Sequence, residues 1–217
     1  PELVGNHRHI VVSDQAGRVT SLACFRGIGI DVEADNPQIH KLVDEVKERE
    51  YYGYAYDGAE ASFELLARRA LEGIPDFFKL TTFRVIDERR WNAREELITM
   101  SEATVKLDVG EDHYMAVAEG NGPVNALDAA LRKVLNPIYP QLADLRLVDY
   151  KVRVLDGHKG TAARVRVLVT WRDGNETWTT VGVSDDVLEA SWNALCDSLR
   201  LELLRIEEAK EAAVQEA

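Results

Sequence analysis

The chain repeats itself, and the repeat constrains its fold more than any other feature. Val117-Ala118-Glu119-Gly120 lies 64 positions before Val181-Gly182-Val183-Ser184. At the same offset Gly110 matches Gly174, Ala126 matches Ala190, and Leu131 matches Leu195. Farther upstream, Phe83-Arg84-Val85-Ile86-Asp87 resembles Val152-Arg153-Val154-Leu155-Asp156 at an offset of 69. Chance can produce one such match; three in the same order point to a duplicated unit. Within each copy the pattern reads strand, strand, strand, helix. Segments 80–87, 101–109 and 113–118 have strand character, and Val105, Leu107 and Val109 alternate with Thr104, Lys106 and Asp108. Val124, Leu127, Leu131 and Val134 then mark a helix. The order recurs as strands over 145–156, 163–171 and 177–183, a turn at Asp173-Gly174-Asn175, and a long helix from Asp185. A three-stranded sheet has one apolar face for its helix to cover. One such unit is too small to hold a generous core, so two packed together are expected. We therefore expect an α+β fold of two pseudo-symmetric βββα units, about 77–137 and 145–209, forming a domain over 77–217.

Residues 1–76 read as a small, mixed, mainly helical linker region. Segment 9–13 is a short β-type run and 14–18 a loop. Ile39, Leu42, Val43 and Val46 fall at helical spacing over 38–50, and Phe63, Leu66, Ala67 and Ala70 do so over 60–72. Gly73-Ile74-Pro75-Asp76 ends that second helix with the expected glycine and proline. At the other end, 207–217 is acidic and alanine-rich, a solvated or frayed helix end.

Ala118-Glu119-Gly120-Asn121-Gly122-Pro123-Val124-Asn125-Ala126 joins the first copy's third strand to its helix. Pro123 suits the first helical turn, where its missing N–H is not needed. Gly120 and Gly122 let the main chain come close to a ligand or another chain. Free N–H groups and the positive end of a helix dipole converge there, which suits a carboxylate or phosphate. A plain strand-to-helix turn has the same spacing; its place inside a repeat is what singles it out.

A net charge of −12 over 217 residues, without any basic cluster beyond the pairs Arg68-Arg69 and Arg89-Arg90, argues against nucleic acid and anionic membrane as partners. The longest apolar runs fall far short of a membrane helix. Two cysteines, Cys24 and Cys196, form no framework and fit a cytosolic compartment as small core residues. Residue 1 is Pro, so the chain is expected to begin inside a longer product. His7-Arg8-His9 puts two imidazoles on one side of an extended strand, but no Asp, Glu or Cys beside them completes a metal set. His40, His113 and His158 are scattered. Gly27-Ile28-Gly29 lacks the third glycine of a dinucleotide turn and reads as a loop. Tyr150 shares a strand face with Val148, Val152 and Val154, and is either a core residue or the wall of an apolar pocket. Gly160-Thr161-Ala162-Ala163 is either a hairpin corner or room for a ligand side chain.

Taken together, Pro1-Glu2-Leu3-Val4-Gly5-Asn6, Ala59-Glu60-Ala61-Ser62-Phe63-Glu64-Leu65-Leu66, Ser101-Glu102-Ala103-Thr104-Val105-Lys106, the turn at 120–127, Asp149-Tyr150-Lys151-Val152-Arg153-Val154-Leu155-Asp156, Thr180-Val181-Gly182-Val183-Ser184 and Glu189-Ala190-Ser191-Trp192 resemble the C-terminal half of the 2-isopropylmalate synthase family. The stretch 59–66 resembles its citramalate branch more than its leucine branch. The resemblance implies a whole enzyme that joins acetyl-CoA to an α-keto acid, pyruvate in the citramalate branch. Its catalytic TIM barrel, with the divalent metal and the acetyl-CoA site, would precede residue 1, leaving no cofactor and no catalytic residue in this chain. What remains would be the linker and a cytoplasmic homodimeric regulatory domain that binds the end-product amino acid near the dimer interface. That amino acid is isoleucine in one branch and leucine in the other. By motif the effector positions are Gly120, Gly122, Pro123, Val124 and Asn125 at the turn, Leu147, Tyr150 and Val154 on a strand, and Thr161 and Ala163 after the hairpin. The turn amides suit the effector's carboxylate, Leu147, Tyr150 and Val154 its aliphatic side chain, and either Asp149 or Glu119 its ammonium group. The family's Ser-Gly-Arg-Ser-Asn linker motif stands here as Ala16-Gly17-Arg18-Val19-Thr20. Two other readings remain: a structural dimerisation module of the leucine-branch type without effector binding, and a self-contained enzyme using His7, His9 and a metal.

Overall fold

The computed structural model describes residues 37–174 and 176–215. In chain order these form α1 (Pro37–Tyr52), α2 (Glu60–Leu71), β1 (Lys79–Trp91), β2 (Leu97–Val109), β3 (Asp112–Gly120), α3 (Pro123–Ile138), β4 (Arg146–Val154), β5 (Val165–Asp173), β6 (Glu176–Ser184) and α4 (Val187–Gln215). The strands make two three-stranded sheets, β1-β2-β3 and β4-β5-β6, each followed by a long helix. This is the α+β, twice-βββα arrangement that the repeat implies. The segments 9–13 and 14–18, together with His7, His9, Cys24, Gly27-Ile28-Gly29 and Asn175, lie outside the described residues.

The chain forms two compact units. One contains Pro75–Val148, Trp171–Glu176 and the chain from Leu199; the other contains the described residues up to Ile74, Asp149–Thr170 and Thr177–Ser198. In the first, β2 is the central strand and pairs antiparallel with both neighbours. Its odd-numbered residues Ser101, Ala103, Val105 and Leu107 are buried. Their cross-strand partners on β3 include Ala116 and Ala118, small enough for a helix to lie close. Ala126, Leu127, Ala130, Leu131, Val134 and Leu135 of α3 are the buried stripe of that helix. Arg132 ties it down: its guanidinium bonds Asp128 (3.2 Å) and the carbonyls of Leu142 (3.4 Å) and Leu145 (3.0 Å), and it lies 4.5 Å above the fully buried Trp171 ring.

In the second unit, β6 is gripped on both faces. Thr180 donates to the Ala194 carbonyl of α4 (2.7 Å) and shares a hydrogen bond with Ser198 (2.7 Å). A Cβ at Gly182 would lie 2.0 Å from the Ala190 carbonyl oxygen, so only glycine admits this approach of helix to strand. The alternate residues face the helical pair instead. Val181 joins Ile39, Leu42, Val46, Phe63 and Leu66 in one hydrophobic cluster, against which Leu168 and Val183 also pack. The Val181 N–H donates to the buried Ser62 hydroxyl at 2.9 Å.

The β1–β2 hairpin outruns the sequence pattern. β1 and β2 extend to a Trp91–Leu97 pair, well past the end of β3. The extension bears Glu88-Arg89-Arg90 and Arg94-Glu95-Glu96 and is exposed on both faces, so no apolar alternation marks it. Its tip is closed by Asn92, whose side-chain oxygen accepts from the N–H groups of Arg94 and Glu96. α3 runs through Pro137 to Ile138. The proline sits in the last turn and forfeits one helical hydrogen bond, while the Tyr139 N–H still reaches the Leu135 carbonyl.

Candidate functional site

The glycine turn closes the sheet edge and starts α3. Gly120 pairs with Ser101, and a Cβ on it would come within 2.4 Å of the Ala126 nitrogen. Gly120 is thus required by packing: strand end and helix start touch there. Gly122 differs. It is the N-cap of α3, with φ −176° and ψ 169°, extended backbone that any residue adopts. A Cβ built on it would meet no atom within 4 Å. The Gly122 carbonyl accepts the first helical bond, from Ala126 at 2.9 Å. Asn125 turns its side-chain oxygen back to the Asn121 N–H at 3.0 Å. Pro123 has no N–H, and Gly122 has no side chain to accept from the amides of Val124 and Asn125. Those two groups, at the positive end of the helix, are what the turn offers to an anion.

The duplicate shows what the same place looks like when it is filled. Asp186 stands 64 positions after Gly122 and is the residue whose carbonyl accepts from Ala190, again at 2.9 Å. Its carboxylate accepts the Leu188 N–H at 2.7 Å. Ser184 accepts the Asp186 N–H and donates to Glu189. So one helix start is capped by its own carboxylate and the other is not.

The remaining positions fall as follows. Leu147 belongs to the same compact unit as the turn, whereas Tyr150, Val154, Thr161 and Ala163 belong to the other. Strand alternation puts Tyr150 with Val148, Val152 and Val154, and Leu147 on the opposite face of β4. The Tyr150 hydroxyl shares a 2.8 Å hydrogen bond with Ser191 of α4, so its ring turns toward that helix. Val154 is 55% exposed and Ala163 is buried. Thr161 lies in a short 3₁₀ stretch over Gly157–Ala162. Asp156 closes that stretch by accepting from Arg164 (2.8 Å) and Lys159 (3.3 Å), which hold its carboxyl below the usual range.

The two carboxylates suggested for the ammonium group each have partners of their own. Asp149 is paired with Lys151 at 2.5 Å. Glu119 pairs with Glu102, on the sheet face opposite the Ser101–Gly120 row and hence away from α3. That row contains a carboxylate the sequence reading passed over. Asp87 pairs with Ser101, accepts its hydroxyl at 2.5 Å, and shares the face on which the turn sits. Only the β1–β2 register brings it there. A hollow of about 340 Å³ beside β3, lined by Tyr114, Met115, Val117, Lys133, Val134 and Pro137 among others, contains none of the ten positions. Among the described residues, no group of three His, Cys, Asp or Glu side chains is arranged to hold a metal, and no helix is long and apolar enough to cross a membrane.

Residues 57–202 match the model of the LeuA allosteric (dimerisation) domain. The chain belongs to that family. The match takes in all six strands, α3, the part of α4 up to residue 202, and all ten candidate positions. Similar proteins include the (R)-citramalate synthases of Aquifex aeolicus (46% identical over 208 residues), Geobacter sulfurreducens (47% over 208) and Streptomyces coelicolor (48% over 206). These alignments cover 96%, 96% and 94% of this chain but only 39%, 39% and 38% of the relatives. The chain therefore spans about two fifths of the length of the relatives it matches. Measured against them, it corresponds to a regulatory and dimerisation region rather than to a whole enzyme.

Proposed function

We propose that this chain is the amino-acid-sensing, homodimeric region of a cytoplasmic citramalate synthase-like enzyme, with isoleucine as the feedback effector. The whole enzyme would condense acetyl-CoA with pyruvate in branched-chain amino-acid biosynthesis. Its divalent metal, acetyl-CoA and catalytic residues would belong to the barrel domain and not to this region. One observation supports a ligand at the turn above all: Gly122 lacks the carboxylate that Asp186 supplies at the equivalent helix start. An α-amino acid would bring that carboxylate to the amides of Val124 and Asn125. Asp87 would meet the ammonium group, and of the positions the resemblance implies, Tyr150, Val154, Thr161 and Ala163 would bound the side chain, Leu147 lying on the other face of β4. Feedback then follows as a coupling free energy: the effector favours one arrangement of dimer and linker over another, by an amount on the order of 1–3 kcal/mol.

Calorimetry of the 217-residue chain with isoleucine, leucine and valine tests this. Saturable binding of isoleucine ahead of the other two supports the reading; no heat from any of them at millimolar concentration defeats it. One feature favours the rival, a structural dimerisation module of the 2-isopropylmalate synthase type. Gly120 is fully accounted for by the contact of strand and helix. On that reading the chain would be a dimer that ignores all three amino acids.

A further inference from the structure

The two arginines that open β5 hold the exit of α1. Arg164 donates from Nη1 to the Tyr52 carbonyl at 2.8 Å, and its guanidinium lies 5.9 Å from the Tyr52 ring. Arg166 donates to the next carbonyl, that of Gly53, at 2.6 Å. Gly53 has φ +114°, and a Cβ there would lie 2.3 Å from Cδ1 of Leu155. The connection from α1 to α2 is thus fixed by the segment that carries β4 into β5. Its onward residues are packed as well: Tyr54 stacks on Tyr56 at 6.2 Å, and Tyr56 meets Phe63 edge-on at 5.8 Å.

Arg164 differs from Arg166 in having a second attachment. Its Nε donates to Asp156 at 2.8 Å, and Asp156 and Arg164 are the two ends of the stretch that carries Thr161. The Leu155 N–H to Arg164 carbonyl bond, 2.9 Å, closes the same stretch through the main chain. One guanidinium therefore joins the loop bearing Thr161 and Ala163 to the last turn of α1. A planar guanidinium that serves two acceptors in fixed directions cannot follow one without disturbing the other.

We infer that Arg164 is the positioning residue through which the α1–α2 connection feels occupancy at Thr161 and Ala163, with Arg166 as a static anchor beside it. This rests on the effector reading given above. A ligand side chain that presses on Thr161 or Ala163 shifts the 157–162 stretch, and the Asp156–Arg164 pair passes the shift to the Tyr52 carbonyl. The helices whose packing covers β6 then respond, without any direct contact with the ligand.

Hydrogen exchange of the 217-residue chain with and without saturating isoleucine, beside calorimetric affinities, tests the assignment. In the wild type, isoleucine changes deuterium uptake over 50–58. In Arg164→Gln it still binds, with affinity altered by less than the ~5-fold at the lower end of allosteric couplings, but uptake over 50–58 no longer responds. Arg164→Lys, which keeps the charge but reaches only one of the two acceptors, also fails to pass the response to 50–58. Arg166→Gln raises uptake over 50–58 in both states and keeps the difference between them. A wild type that binds isoleucine with no change over 50–58, or an Arg164→Gln variant that responds like the wild type, overturns the inference alone. A wild type that binds none of isoleucine, leucine and valine overturns the effector reading and this inference with it, and calorimetry shows that before any exchange is measured.

Discussion

Gly122 and Asp186 hold the same place, the N-cap of the helix after a third strand, one in each copy of the repeat. The backbone at Gly122 is extended and its Cβ direction is open, so an aspartate fits there without strain. Gly122→Asp should give α3 the cap that α4 already has. Replacing glycine by aspartate at an N-cap is worth a few tenths of a kcal/mol, and the helix dipole adds about as much again. We expect an unchanged dimer, a Tm equal to or about 1–2 °C above the wild type, and isoleucine affinity reduced by more than tenfold. Isoleucine binding at wild-type strength would remove the turn amides from the site.

The close glycines should behave in the opposite way. Gly120→Ala and Gly182→Ala each place a methyl group against helix backbone, at 2.4 Å from the Ala126 nitrogen and 2.0 Å from the Ala190 oxygen. Backbone cannot rotate aside as a side chain can, so each should cost on the order of 1–3 kcal/mol. Gly122→Ala, with open space around it, should cost well under 1 kcal/mol beyond the lost preference for glycine at a cap. Urea unfolding midpoints rank the three.

Arg132 is the clearest case of a charge held in place by several partners. Burial pushes the Asp128 carboxyl above its ordinary range, with Arg132 opposing that rise. Arg132→Met leaves Asp128 without its partner, strips the Leu142 and Leu145 carbonyls of a donor, and loses the stack on Trp171. We expect a loss of about 3 kcal/mol. The double variant Asp128→Asn with Arg132→Met should lose less than the single one, because no carboxylate is then left unpaired. Additive losses in a double-mutant cycle would contradict the pairing.

Ser62 accepts a main-chain N–H from the middle of β6, in a setting sealed from water. Ser62→Ala leaves the Val181 N–H without that acceptor and should cost about 1–3 kcal/mol. Hydrogen exchange at Val181 should accelerate more than at its neighbours on the strand; equal acceleration along β6 would point to a general loosening.

Glu202 carries the pH dependence most open to test. Burial raises its pKa, and Asp173 and Glu176 act in the same direction. A carboxyl with a raised pKa in the folded state contributes most to stability when protonated. That contribution is complete below the unfolded-state pKa and is lost as pH rises through the folded one. Glu202→Gln should therefore raise Tm at pH 7–8, by on the order of 2 °C, and the gain should shrink as pH falls through the raised folded-state pKa and be gone below the ordinary carboxylate range. A gain that is constant with pH would mean the charge is not its cause.

The fold was legible wherever burial wrote a period into the chain. Val105 and Leu107 against Lys106, or Leu127 and Leu131 on one helix face, report which side faces the core, and the offset of 64 fixes the order of elements. The β1–β2 extension left no such trace, because a two-stranded ribbon exposed on both sides imposes no alternation. The turn was legible as a turn, but not the division of labour within it. That Gly120 serves packing and Gly122 does not depends on where Ala126 lies, which no spacing states. Asp87 was out of reach for a similar reason: it becomes a neighbour of the turn only through pairing with Ser101, across a hairpin whose register is set by contacts along both strands.

The hydrophobic cluster around Val181 has a practical consequence for dissecting the molecule. The family match opens at residue 57, yet Ile39, Leu42 and Val46 of the same cluster come from the helix before it. A fragment cut at that boundary would keep Phe63 and Leu66 beside Val181 but lose Ile39, Leu42 and Val46, leaving the cluster partly uncovered. Such a piece would be expected to aggregate or to recruit foreign surfaces, and its failure would say nothing about the competence of the two βββα repeats. The autonomous module, in the sense of a part that can be excised or grafted intact, starts no later than Pro37.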